Sequence, residues 1–359
     1  MEPELIEITQ TGRLGRITLN RPRALNALNM DMFRTIGACL QAWRDDPAVE
    51  TVLLDSTSPK AFSAGGDIRA IRSRLETGGL AAAAAPFRMS YRMASLLAGY
   101  PKPVVSFMDG IAMGGGIGLG GHVRYRVVTE RSTLAMPEIA IALTPDAGGS
   151  YLLSRAPGLS GLRLALTAGR MNATAAIAAG FADRQVHSGR LDSIRAALTH
   201  QPAGVVMDGL PPCPSLDAGP DTAEIAPVYS APDMPELMGR LSAHGADWAQ
   251  ADLAAMQRAC PFSLCITFAA WHAARRLPDL DHVLEQEFQL VCHMLARPDF
   301  AEGVRALLID KDNAPRWTPA DIRDVSLHEI ATCLHTRTAF SLDLPLASTD
   351  SNLLLSHIK

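Results

Sequence analysis

The sequence lacks the features that mark several large protein classes. It has no Cys-x-x-Cys pair, and its six cysteines (Cys39, Cys213, Cys260, Cys265, Cys292 and Cys333) are scattered over 359 residues. That pattern excludes a disulfide framework and the common zinc spacings. It fits reduced, buried thiols in a cytosol-like, cytoplasmic setting. No other His, Cys or carboxylate cluster has ligand spacing, so no metal is expected. Lys and Arg number 33 against 37 Asp and Glu, a formal net charge of -4. With no basic excess and no dense Lys/Arg cluster, nucleic acid is not an expected partner. Long apolar runs are missing too. The most membrane-like stretch, Val104 to Leu119, is interrupted by Asp109 and several glycines. It reads as a buried helix and its approach loop, not as a membrane span. The first residues, MEPELIEITQ, are acidic and do not read as a secretory signal or transit peptide.

What is present is apolar content of 48%, enough for a large core in one big domain with an appendage, or in two domains. Arg16–Leu19, Thr51–Asp55, Val104–Met108 and Arg126–Thr129 are short β-rich runs. Met30, Phe33, Ile36, Leu40 and Trp43 fall on one helical face, with Asn29 placed to cap it. The alternation predicts an α/β fold whose sheet is covered by helices. The alanine run Ala81–Ala85 reads as a helix start or loop edge. From Gln201 to Pro235 prolines, Gly and Asp accumulate, as in a linker or surface excursion. Beyond it the chain is helical in character to Ala296. The expected division is a core over 1–200, a linker or excursion over 201–236, and a C-terminal helical region over 237–359.

Three segments carry candidate chemistry: AFSAGGDI at Ala61–Ile68, MGGGIG at Met113–Gly118 and MPEIAIALTPDAGG at Met136–Gly149. Glycine-rich turns let the backbone approach a ligand closely. Each turn opens a helix, where N–H groups lack partners. Two such donors from two loops can converge on one carbonyl oxygen and stabilise an enolate or tetrahedral oxyanion. A lone GGG also suits close helix packing. GGGIGLGG fits neither the dinucleotide fingerprint nor a P-loop.

Taken in order, LNRPRALNAL (Leu19–Leu28), AFSAGGDI, MGGGIGL (Met113–Leu119), AMPE (Ala135–Glu138) and PDAGG (Pro145–Gly149) resemble the crotonase (enoyl-CoA hydratase/isomerase) superfamily. With GGDIR at Gly65–Arg69 and the block DFAEGVRALLIDKDNAPRWTP at Asp299–Pro319, the chain looks most like its 3-hydroxyisobutyryl-CoA hydrolases. The resemblance implies a crotonase-like spiral of ββα units followed by helices. It implies oxyanion N–H donors at Gly66 and Gly115, and the CoA nucleotide near Arg23, whose guanidinium suits a phosphate. Leu25, Ala64, Asp67, Ile68, Ser90, Gly114 and Pro137 are the accompanying substrate-binding candidates, with Asp67 also fixing its loop. Lys311, beside two aspartates, suits either the CoA mouth or a surface salt bridge. His122 reads as a hydrogen-bonded core residue, and Glu130 as structural or solvated.

The carboxylates bear on the reaction. A typical hydratase of the superfamily carries two glutamates; here Gly118 occupies the first position, Glu138 keeps the second, and Asp146 stands where hydratases usually have glycine. That arrangement points to hydrolysis of a short acyl-CoA thioester, 3-hydroxyisobutyryl-CoA as in valine breakdown. Glu138 is read as general base or nucleophile, and Asp146 as orienting water or substrate and helping to protonate the thiolate. An enoyl-CoA hydratase or isomerase, and a catalytically silent CoA-binding member of the fold, are the alternatives. FRMSY at Phe87–Tyr91 departs from close hydrolase relatives, which usually carry acids before the tyrosine. No cofactor is expected beyond the CoA of the substrate, and a homo-oligomer is possible for this superfamily.

Overall fold

The computed structural model describes residues 4–211 and 222–344. Two sheets organise the first half. Strands β1 (Ile6–Thr11), β2 (Leu14–Leu19), β3 (Thr51–Ser56), β5 (Val104–Met108), β7 (Tyr125–Thr129) and β9 (Arg184–Val186) form a six-stranded sheet in the order β1-β2-β3-β5-β7-β9. Only β1 and β2 pair antiparallel. Strands β4 (Ala61–Ser63), β6 (Ile111–Met113) and β8 (Thr133–Ala135) form a second, parallel sheet. Each strand of the small sheet follows one of the large sheet, so β3-β4, β5-β6 and β7-β8 are successive turns of a spiral. Helices α2 (Ile68–Ala98) and α3 (Gly115–Gly120) close the first two turns.

Strands β3 and β5 are apolar on both faces because both are covered: Val52, Leu54 and Val104 belong to the main core, Leu53, Val105 and Phe107 to a smaller one. Helix α1 (Met30–Arg44) buries Phe33, Ile36, Leu40 and Trp43, and the Asn29 side chain accepts from the Met32 N–H at 2.9 Å. The expected helical face and cap are both present. Helix α2 breaks at Gly79, with φ 71°, so the alanine run lies just inside the second of two joined helices.

Helices α4 (Gly149–Arg155), α5 (Ser160–Thr167), α6 (Ala173–Ala178) and α7 (Leu191–Leu198) complete the core. The proline-rich stretch is structured at both ends. α8 (Ala203–Asp208) packs Val206 and Met207 into the smaller core, and α9 (Thr222–Tyr229) packs Ile225 and Tyr229 into the main one. Its middle, with Cys213, lies outside the described residues. Then α10 (Met234–Ala243), α11 (Asp247–Arg258), α12 (Pro261–Ala274), α13 (Leu280–Leu295), α14 (Pro298–Val304), a π-helical turn Arg305–Ile309 and α15 (Leu327–His335) follow. Among the described residues no single helix is long and apolar enough to cross a membrane. The tail beyond Ser341 falls mostly outside the described residues.

Candidate active site

The C-terminal ends of β4, β6 and β8 all deliver loops to one cleft of about 730 Å³. This convergence follows from the spiral: three parallel strands side by side release their chains at the same edge. β4 leads to Ala64–Asp67, β6 to Gly114 and Gly115, and β8 to Pro137 and Glu138. The segment after β2 is zipped along the first loop. Leu25 O accepts from Ala64 N–H, Leu28 N–H donates to Gly65 O, and Asp67 N–H donates to Leu28 O. Asn26 is wholly buried and clamps β4 by donating to Ala61 O and Phe62 O. Asp67 caps α2 through Ala70 N–H and pairs with Arg21 at 2.8 Å, so it fixes its loop.

The N–H groups of Gly66 and Gly115 lie close together. A methyl added to Gly115 stands 3.4 Å from Gly66 N. Among the described residues neither N–H has a protein acceptor. Gly114 has φ 50°, and a methyl there falls 2.6 Å from Glu138 Oε1. Only glycine lets this backbone pass the carboxylate.

Two carboxyls face the cleft from the third wall. Glu138 opens a 3₁₀ turn, is 6% exposed, and its Oε2 has no hydrogen-bond partner among the described residues. A buried, unpartnered carboxylate oxygen is costly, and such groups cluster at functional sites. Asp146 is 7% exposed and accepts from the Tyr91 hydroxyl at 2.9 Å. Burial, then the neighbouring Asp146, hold Glu138 well above the usual carboxylate range. Burial pushes Asp146 up to about 7, against the pull of the Tyr91 hydroxyl. The charged neighbours acting on Glu138 are Asp146 and Glu287, both acidic. Two such interacting carboxyls titrate as a pair.

Gly118 has a further reason to be glycine. A methyl there meets Ala147 Cβ at 2.6 Å and Ala147 O at 3.0 Å. The loop that carries Asp146 therefore fills the space that a side chain at position 118 needs. The absence of a carboxylate at 118 and its presence at 146 form one packing solution.

Every candidate named from the sequence lines this cleft: Arg23, Leu25, Ala64, Gly66, Asp67, Ile68, Ser90, Gly114, Gly115, Pro137, Glu138 and Asp146. Lys311 also lines it, and its neighbours Asp310 and Asp312 pair with Arg305 instead. Leu307 and Leu308 line the mouth, and Arg69 donates to Leu308 O, joining the first loop to the π-helical turn. His122 meets Ala147 O at 3.2 Å, and burial lowers it to about 4, so it is a neutral core residue. Glu130 accepts from Ser188 N–H and hydroxyl, a structural role. The site residues that sequence reasoning missed are Tyr91 and Glu287. Glu287 is fully buried on α13 and accepts from Gly148 N–H at 2.7 Å and Ser150 N–H at 2.9 Å.

With the geometry in place, comparison with known proteins gives the family. The family model for enoyl-CoA hydratase/isomerase matches residues 14–334. The chain belongs to this family. It is 35% identical over 338 residues to the mitochondrial 3-hydroxyisobutyryl-CoA hydrolase of Gallus gallus, covering 91% of this chain and 87% of the relative. The human mitochondrial 3-hydroxyisobutyryl-CoA hydrolase is 35% identical over 358 residues, covering 95% and 90%. Among solved structures, a carnitinyl-CoA dehydratase from Mycobacterium thermoresistibile superposes with a TM-score of 0.91 at 34% identity, over 96% of this chain and 99% of that one. An enoyl-CoA hydratase from Rhodobacter sphaeroides gives a TM-score of 0.86 at 39% identity, over 92% and 97%. The crotonase-like fold expected from the sequence is the fold of the chain. Relatives carry both hydrolase and hydratase names, so the reaction is decided by the side chains.

Proposed function

We propose that this enzyme hydrolyses a short-chain acyl-CoA thioester, with 3-hydroxyisobutyryl-CoA as substrate and 3-hydroxyisobutyrate and free CoA as products. The observation that carries the reading is the 145–149 loop. It occupies the space beside Gly118 and brings a second carboxyl to the cleft with Glu138. The hydrolase names of relatives matched over most of the chain support it.

In this reading the thioester oxygen lies between the N–H groups of Gly66 and Gly115, which stabilise the oxyanion as it forms. Glu138 takes a proton as water attacks the carbonyl carbon, or attacks that carbon itself and forms a mixed anhydride that water then cleaves. The C–S bond breaks, and the CoA thiolate takes a proton from Asp146. A carboxyl pair holding one proton provides both the base and the acid. Arg23 and Lys311, at the cleft, suit the phosphates of CoA. Ser90 lines the cleft beside Gly115 and offers a hydroxyl, in place of an acid, to the acyl hydroxyl. Single turnover in water of heavy oxygen detects the anhydride route when water cleaves the anhydride at the Glu138 carboxyl carbon: the first product then carries an unlabelled oxygen from Glu138, and the label stays on Glu138.

The test follows free thiol from 3-hydroxyisobutyryl-CoA with a thiol-reactive dye, and enoyl absorbance with crotonyl-CoA. Thiol release supports the hydrolase. Loss of enoyl absorbance without thiol selects the second reading, a hydratase or isomerase, which the names of the two solved structures favour and for which Glu138 alone is a base. Silence with both substrates selects a CoA-binding member without activity. A cytoplasmic site of action and a homo-oligomer belong to the same proposal; cell fractionation and light scattering test them.

A further inference from the structure

The mechanism leaves two buried groups beside the site unused, Tyr91 and Glu287, and neither lines the cleft. Each makes a bond aimed at Asp146 or its loop. Glu287 is 0% exposed, so its carboxyl needs partners inside the protein. It takes them from the loop: Gly148 N–H to one oxygen and Ser150 N–H to the other. Gly148 is two residues beyond Asp146, at the point where the chain turns with φ 82° into α4. Tyr91 is 0% exposed, and its hydroxyl donates to Asp146 Oδ2. The ring of Tyr91 is held edge-on between Phe87 and Phe288, at 6.2 and 6.1 Å. Phe288 follows Glu287 on α13. One turn of that helix therefore grips both the loop backbone and the ring that holds the carboxylate.

We infer that Glu287 and Tyr91 are positioning residues for Asp146: Glu287 pins the backbone of its loop, Tyr91 fixes one carboxylate oxygen, and α13 braces both. The consequence for rate rests on the thioesterase reading; the consequence for Asp146 itself rests on geometry alone. The titratable groups facing Asp146 and its loop are Tyr91 from α2, Glu138 from the turn after β8, Glu287 from α13, and His122 after α3. Cys292 and Arg88 stand behind Tyr91 and Phe288. Of these, the Tyr91 hydroxyl is the group that stabilises the Asp146 anion by a hydrogen bond.

Tyr91→Phe keeps the ring contacts and removes only that bond. Asp146 is read without substrate, by following with pH the infrared carboxyl band that is lost in Asp146→Asn. The midpoint rises by about one pH unit in Tyr91→Phe. Glu287→Gln keeps the side-chain shape but only one good acceptor, so exchange of the Gly148 and Ser150 amide protons speeds by about tenfold or more. With thioester substrate, both variants lower kcat on the order of ten- to a hundredfold with little change in KM. In Tyr91→Phe the kcat/KM inflection moves up with the infrared midpoint. An unmoved midpoint together with unchanged amide exchange overturns the inference, whatever the activity. If Glu287→Gln fails to fold, the Tyr91→Phe midpoint decides alone. A shifted midpoint in a protein silent toward thioesters upholds the positioning and sinks the hydrolase reading. An active protein with an unmoved midpoint does the reverse.

Discussion

The loops released by β4, β6 and β8 and the helix α13 serve one site in opposite ways. The loops present chemistry directly. Their glycines expose N–H groups, and the turn after β8 presents Glu138. Helix α13 presents nothing to the cleft. It acts from behind, through Glu287 on the backbone of the 145–149 loop and through Phe288 on Tyr91. The loops therefore define which reaction is available, and the helix defines how accurately Asp146 is held for it. A site on short turns gains precision only when a rigid element supports it.

Substitutions can break or sharpen that contrast. The largest effect belongs to the loops: Glu138→Gln lowers kcat for thiol release about a thousandfold, with folding unchanged by circular dichroism. Retention of most of the rate removes Glu138 from the chemistry. Asp146→Asn costs about a hundredfold. It also removes the descending limb of the kcat/KM profile, which in the unchanged enzyme lies near pH 7, where burial places the Asp146 acid. A pH profile of thiol release checks both.

Gly118→Glu tests whether the reaction is chosen by the carboxylate or by the loop. The contact with Ala147 predicts no gain of crotonyl-CoA hydration and a stability loss of about 1–3 kcal/mol by chemical denaturation. Efficient hydration by this variant shows that the loop yields, and the packing argument fails.

A gradual effect, spread over several pH units, concerns stability. Asp146 is raised from 3.8 to about 7 and Glu287 from 4.5 to about 8. Between the unfolded and folded values the native state binds more protons, so its stability is full below about pH 4 for these groups and is lost as pH rises toward about 8. Each group contributes a slope of up to about 1.4 kcal/mol per pH unit. The melting temperature therefore falls across this range, and falls less steeply in Asp146→Asn. A flat profile by thermal unfolding means that both groups ionise freely in the folded chain.

Much of this was legible in the residues. The β-rich runs and the α1 face follow from period and apolar content, and the Asn29 cap from a local hydrogen bond. The loop candidates were legible because glycine and proline shape the backbone over a few positions. Tyr91 and Glu287 were not. Tyr91 bonds to a residue 55 positions away and Glu287 to a backbone group 139 positions away. A glutamate in an amphipathic helix carries no local mark of being buried. The ends of the 201–235 stretch also surprised: a proline-rich composition reads as linker, yet Val206, Met207, Ile225 and Tyr229 find apolar partners in the cores.

The sequence by itself determined the strand-and-glycine rhythm, a local fact set by which backbone angles each position allows. Its resemblance to the crotonase superfamily implied the oxyanion candidates Gly66 and Gly115 and the exchange of a carboxylate from 118 to 146. Only the tertiary structure decided that the exchange is steric as well as chemical. Gly118 and Ala147 are 29 positions apart in chain order, and a side chain at 118 collides with Ala147 in space. It also decided that Glu138 and Asp146 are both buried, with acidic groups as the charged neighbours of Glu138, and that α13 holds the loop just beyond Asp146. Burial and proximity are properties of the packed chain, and they are what raise Glu138 well above the usual carboxylate range and Asp146 to about 7.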